Sequence, residues 1–123
     1  MANILIVDDA LFMRKILADI LSEAGHKIVG VAENAQEAIE LYKKLKPDIV
    51  TMDIIMPEIG GLDTLKAIKQ ILKSDKNARI VIVSAMGQQE MVVESIQAGA
   101  KDFVVKPFQR SRITESIARI LRD

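Results

Sequence analysis

Three aspartates are the residues of this sequence best suited to chemistry: the adjacent pair Asp8-Asp9, and Asp53. With them go one hydroxyl, Ser84, and one cation, Lys106, which precedes Pro107. Each closes a short run rich in Ile and Val. Taken singly, each has an ordinary explanation. An acid after a strand can cap the next helix, Asp53 can simply enter a loop, and a lone serine or lysine says little. Together they say more. Two adjacent acids exceed what a cap needs, and three carboxylates at one place repel one another unless a cation joins them. Oxygen ligands without His or Cys suit a hard divalent ion, Mg2+ or Mn2+. A lysine is a point charge for a phosphate oxygen, and a serine hydroxyl can donate to the same group. Such a set fits phosphoryl transfer, in which positioning and charge neutralisation do most of the catalysis. An aspartate can then be the nucleophile, forming an acyl phosphate.

Composition removes the competing chemistries. There is no cysteine, so thiolate metal sites, disulfides and cysteine nucleophiles are excluded. The one histidine, His26, follows Gly25 where a helix turns into a strand and reads as a solvated turn residue. The 123 residues fit one domain, 1–123. Aromatic residues are few (Phe12, Tyr42, Phe103 and Phe108), so the core must be Ile, Leu, Val, Ala and Met. Seventeen basic residues balance seventeen acidic ones, which argues against a nucleic-acid binder. The balance is uneven along the chain: residues 1–63 carry a net −5 and residues 64–123 a net +5. No apolar run approaches the roughly 18–20 residues of a bilayer span. The first charges met are acidic, unlike a secretory signal. The expectation is a cytoplasmic protein without membrane insertion.

Two hydrophobic periods alternate along the chain and must position these residues. Apolar runs at 4–7, 27–32, 49–53, 79–84 and 102–105 read as strands, several buried on both faces. Between them lie helical stripes: Met13, Ile16, Leu17, Ile20, Leu21 and Ala24; Ala38, Leu41, Tyr42 and Leu45; Leu65, Ile68 and Leu72; Val92, Val93 and Ile96; and Ile113, Ile117, Ile120 and Leu121. Gly25, Pro47 and Gly99 stand where helices should stop. Asn34 with Glu37 resembles a capping box, Gly87 with Glu90 a weaker one, and Glu40 and Lys44 are spaced to pair on one helix face. The pattern is α/β, (βα)5: an open, doubly wound, five-stranded parallel sheet. Ligands of such sheets bind at the carboxyl ends of the strands. All five candidate residues fall there.

Val7-Asp8-Asp9 with Arg14, Asp53-Ile54-Ile55-Met56-Pro57 with Gly61, Ser84-Ala85, and Lys106-Pro107-Phe108 together resemble the signature of response-regulator receiver domains. The likeness covers essentially the whole chain. Residues 84–89 and 98–103 make it most similar to the single-domain chemotaxis regulators of thermophilic bacteria. The resemblance implies a flavodoxin-like sheet in the order 2-1-3-4-5. It implies that Asp53 accepts a phosphoryl group from a histidine kinase. Asp9 would bind Mg2+ directly and Asp8 largely through water, with Asp53 and the backbone carbonyl of Ile55 completing the protein ligands. Lys106, before a cis bond to Pro107, would pair with the phosphoryl group. Ser84 would move to hydrogen-bond it, coupled to the aromatic at Phe103 as the switch. Phe103 stands where chemotaxis members often have tyrosine and lacks its hydroxyl; Ser84 replaces a commoner threonine; Gly60-Gly61 loosens the loop after Asp53. Apolar Ile55 and Met86 beside the pocket predict slow self-dephosphorylation.

With no output domain after the receiver, the output is expected to be a protein contact through residues 88–98, 102–105 and 110–121. Lys101, Lys106, Arg110, Arg112, Arg119 and Arg122 lie in or beside that face. They read either as a solvated face or as a docking site for acidic residues, as on a flagellar switch protein; a phosphatase is a further expected partner of a monomeric signalling protein that is not an enzyme in its own right. A single-domain intermediate of a multistep phosphorelay is the alternative role. A flavin-binding electron carrier on the same sheet lacks the phosphate loop and aromatics it needs. An aspartyl phosphatase lacks room for a cap domain, and a degenerate adaptor would not keep the whole acidic set.

Overall fold

The computed structural model describes residues 1–56, 63–85 and 87–123. Pro57, Gly60, Gly61 and Met86 lie outside them, with the expectations attached to those residues. Among the described residues, five strands alternate with five helices: β1 (Asn3–Val7), α1 (Leu11–Glu23), β2 (Lys27–Ala32), α2 (Ala35–Leu45), β3 (Ile49–Met52), α3 (Thr64–Ser74), β4 (Ile80–Ser84), α4 (Gln89–Ala98), β5 (Asp102–Val105) and α5 (Arg110–Arg122). All pairings are parallel, in the order β2-β1-β3-β4-β5. β3 and β4 are each a residue shorter than the apolar runs suggest, so Asp53 lies just past its strand.

Position in the sheet explains the burial. The interior strands β1, β3 and β4 are buried almost throughout, as strands covered by helices on both faces must be. The edge strands β2 and β5 are only partly so. Alternate residues feed two cores. Leu5, Val7, Val50, Met52, Ile80 and Ile82 pack with α2 and α3 on one face. Ile4, Ile6, Ile49, Val81 and Val83 pack with α1 and α5 on the other.

The stop signals act as expected, with one displacement. Gly25 and Gly99 have φ of 95° and 119°, the left-handed conformation a side chain resists. Before Pro47 it is Lys46, at φ 45°, that takes this conformation and caps α2. Asn34 caps α2 by accepting from Glu37 N at 2.9 Å, while Glu37 Oε1 accepts from Glu33 N, one residue ahead of the ideal box. Gly87 and Glu90 form no such box, since α4 starts at Gln89 behind Gln88. Glu40 takes its hydrogen bond from Gln36 rather than an ion pair from Lys44.

Two apolar readings fail on α1 and α4. Ala24 is exposed, because it is the cap beyond the last turn of α1. On α4 the only buried residue is the small Ser95, while Val93 and Ile96 are 44% and 45% exposed. α4 packs beside an edge strand and presents these two outward. His26 is also less solvated than expected: it is half-buried, and its Nδ1 accepts the N–H of Ala2 at 3.1 Å, tying the α1–β2 turn to the start of β1.

Candidate functional site

Carboxylate oxygens of Asp8, Asp9 and Asp53 all lie within 4.8 Å of one another. The parallel sheet brings them there: β1 and β3 are neighbours, and Asp53 N donates to Val7 O at 3.1 Å, in step with the ladder. Asp8 is buried and fully engaged. Its N–H reaches Ala32 O, its Oδ1 accepts Ala10 N at 2.9 Å, and its carbonyl accepts Arg14 Nη1 at 2.6 Å. Asp9 is exposed. Asp53 is 6% exposed, and its Oδ1 accepts Ile55 N at 3.0 Å.

β4 and β5 supply the cation. Lys106 N donates to Ser84 O at 2.8 Å just past the end of their ladder, which fixes where the side chain departs. The peptide to Pro107 is cis, as the resemblance implies. The ammonium then reaches Asp8 Oδ2 at 2.8 Å and Asp53 Oδ2 at 3.0 Å. Burial alone would lower the Lys106 pKa. Hydrogen bonds to Asp8 and Asp53, with their charges, outweigh it and hold the ammonium above its ordinary value. Lys106 therefore lies in the acidic site, away from the basic face to which its charge alone could assign it.

Ser84 is wholly buried at the end of β4. Phe103, in β5, is 6% exposed, its ring packed in the core on the α2–α3 face. It pairs across the ladder with Ile82, two residues before Ser84. Ile55 is half exposed beside Asp53.

Two site residues carry roles the sequence analysis did not assign. Arg14 belongs to the motif, but its grip on the Asp8 carbonyl and its 3.4 Å contact with Glu33 emerge only in three dimensions. Thr64 donates from Oγ1 to the carbonyl of Asp53 at 2.7 Å. Its distance along the chain hid it; a hydroxyl at a helix start is the only signal.

The basic face is mostly occupied from within. Asp102 accepts from both terminal nitrogens of Arg112, at 3.0 and 3.3 Å, from Ser116 Oγ at 2.7 Å and from Arg119 at 2.9 Å. Burial would raise the Asp102 pKa, but these bonds and the Phe103 N–H hold it below the usual carboxylate value. Arg110 pairs with Glu23 at 2.5 Å. Arg112 also donates to Phe103 O at 3.1 Å. Among the described residues, no helix is long and apolar enough to cross a membrane.

Comparison with known proteins agrees with this geometry. Residues 4–118 match the response regulator receiver domain. The chain is 60% identical to the chemotaxis protein CheY of Thermotoga maritima, over 96% of each, and 58% identical to that of Bacillus subtilis, over 97% of each. In structure it is similar to CheY in a CheX–CheY complex with BeF3 and magnesium from Borrelia burgdorferi. The TM-score is 0.90 and the identity 36%, over 97% of this chain and 88% of that one. Receiver domains bind Mg2+ in general, and the three aspartates offer an oxygen-only set suited to it. A flavin carrier is set aside. The strand-end acids, the buried lysine and these likenesses converge: the chain belongs to the response-regulator receiver family, phosphorylation-activated signalling proteins, and is closely related to the chemotaxis regulators called CheY.

Proposed function

We propose that residues 1–123 form a single receiver domain that accepts a phosphoryl group on Asp53 from a histidine kinase. The observation that carries this is the bridge from Lys106 to both Asp8 and Asp53. It holds a cation against Asp53, a buried carboxylate oriented by Ile55 N and close to two further acids. An Asp53 oxygen attacks phosphorus as the phosphorus–nitrogen bond of the donor phosphohistidine breaks, and the electron pair leaves on the imidazole. Lys106 follows the charge from the carboxylate to the phosphoryl oxygens, and Ser84 supplies a hydroxyl to one of them.

Asp9, Asp53 and the carbonyl of Ile55 would hold Mg2+, or Mn2+, directly, with Asp8 acting largely through water. The ion supplies charge neutralisation for the acids and the incoming phosphate. The protein is a signalling phosphoacceptor, catalytic only toward its own phosphorylation and dephosphorylation.

Phosphorylation then changes protein contacts through α4, β5 and α5, coupled by Ser84 and Phe103. The exposed apolar side chains of Val93, Ile96 and Val105 on that face support this reading. The strong likeness to chemotaxis regulators favours a flagellar switch protein as output partner, with a phosphatase to reset it, over a phosphorelay intermediate. The setting is cytoplasmic. Incubation with acetyl phosphate tests the chemistry. Label is expected on the wild type with Mg2+ and not on Asp53→Asn; label without a divalent ion, or on the variant, contradicts it.

A further inference from the structure

We propose that Thr64 is a positioning residue for the phosphoryl-accepting aspartate. The inference rests on Asp53 being the acceptor and concerns how its backbone is held.

Asp53 lies one residue beyond the end of β3. Its N–H is still held by the sheet, through Val7 O at 3.1 Å. Its carbonyl is past the paired residues and needs a partner from elsewhere, because a buried carbonyl left unpaired is costly. Thr64 supplies that partner. It is the first residue of α3, it is 2% exposed, and its Oγ1 donates to Asp53 O at 2.7 Å. The peptides on both sides of the Asp53 Cα are thereby anchored, one to β1 and the other to α3. The next turn of chain then brings Ile55 N to Asp53 Oδ1 at 3.0 Å. The origin of the side chain and the direction of its carboxylate follow from these fixed points.

The hydroxyl is not needed to begin α3. That role belongs to Asp63, whose carboxylate accepts Lys66 N at 2.8 Å. Nor does bulk water compete for the bond, since Thr64 is buried. Among the described residues, the one partner within ordinary hydrogen-bond length is the carbonyl of Asp53; the carbonyl of Ile54 is at the outer limit, 3.5 Å. Attack on phosphorus needs near in-line alignment, and small displacements of a reacting group cost rate steeply.

The test uses the full chain with acetyl phosphate and Mg2+, below the melting temperature of every variant. Thr64→Val and Thr64→Ala remove the hydroxyl, and Thr64→Ser keeps it. The maximal phosphorylation rate per folded molecule is expected to fall about tenfold or more in the first two, and to be largely retained in the third. Hydroxyl-free variants as fast as the wild type would overturn the assignment, and so would Thr64→Ser as slow as they are. A purely structural role would lower the melting temperature and leave the rate per folded molecule unchanged. A wild-type chain that takes no label at all would instead overturn the reading of Asp53, and this inference with it.

Discussion

The ammonium of Lys106 lies 3.0 Å from Oδ2 of Asp53, held by a second bond of 2.8 Å to Asp8. One cation thus balances two carboxylates that are almost without access to water. The pair carries consequences for both stability and phosphorylation.

Lys106→Met leaves Asp8 and Asp53 as buried acids without a counter-charge. Removing one partner of a buried ion pair costs roughly 3 kcal/mol. The urea midpoint is therefore expected to fall clearly in buffer containing a chelator. An ion that binds only the folded state stabilises it by mass action, so Mg2+ should raise the midpoint of the variant more than that of the wild type. Equal gains would show that the acids do not share one electrostatic site.

His26 gives a pH dependence. Burial, then the positive N-terminus, lowers its pKa from 6.5, and its neutral Nδ1 accepts Ala2 N–H. The unfolded chain therefore binds the proton more readily than the folded one. Stability is full above about 6.5 and declines as pH falls from there through the lower folded value. Unfolding midpoints measured between pH 7.5 and 5.5 should show this loss, and His26→Gln should flatten it. A histidine resonance titrating above 6.5 in the folded protein would reverse the sign.

Asp102 organises α5. Asp102→Asn weakens its bonds to Arg112 and Arg119 and leaves Ser116, which is buried, with a poorer acceptor. Both arginines are about half exposed, so solvent screening keeps the cost near 1 kcal/mol. Chemical denaturation checks the size. An unchanged midpoint would mean that these bonds contribute nothing net and that the arginines serve as a solvated face.

Thr51 points the other way. It is 1% exposed in β3, and its Oγ1 has no hydrogen-bond partner among the described residues. Valine has nearly the same shape and no polar atom to strip of water. Thr51→Val should stabilise the protein by about 1 kcal/mol, read as a higher urea midpoint with the same slope. Destabilisation would imply a partner for that hydroxyl.

The acidic site was legible because a parallel (βα)5 pattern sends every strand's carboxyl end to one edge. Asp8, Asp9, Asp53, Ser84 and Lys106 each followed an apolar run, so their convergence came from topology alone. Thr64 was hidden for the opposite reason: it stands eleven residues further along the chain, at the start of α3, where no hydrophobic period marks its hydroxyl as a partner of Asp53. Hydrophobic spacing misled on α4, where Val93 and Ile96 fit a helical stripe. Period identifies a face but not the side on which the sheet lies, and there the buried position is the small, polar Ser95. Charge alone left Arg112 and Arg119 open, as a solvated face or a docking site; that both bond to Asp102, ten and seventeen residues upstream, emerges only in three dimensions.

The most direct test of the account is chemical identification of the phosphorylated residue. Acyl phosphates are reduced by borohydride to the alcohol, which turns an aspartyl phosphate into homoserine. After phosphorylation with acetyl phosphate and Mg2+, reduction and peptide mass spectrometry should find homoserine at position 53 alone. Homoserine at position 8 or 9, or none despite stable labelling, would contradict the assignment of Asp53 as the acceptor.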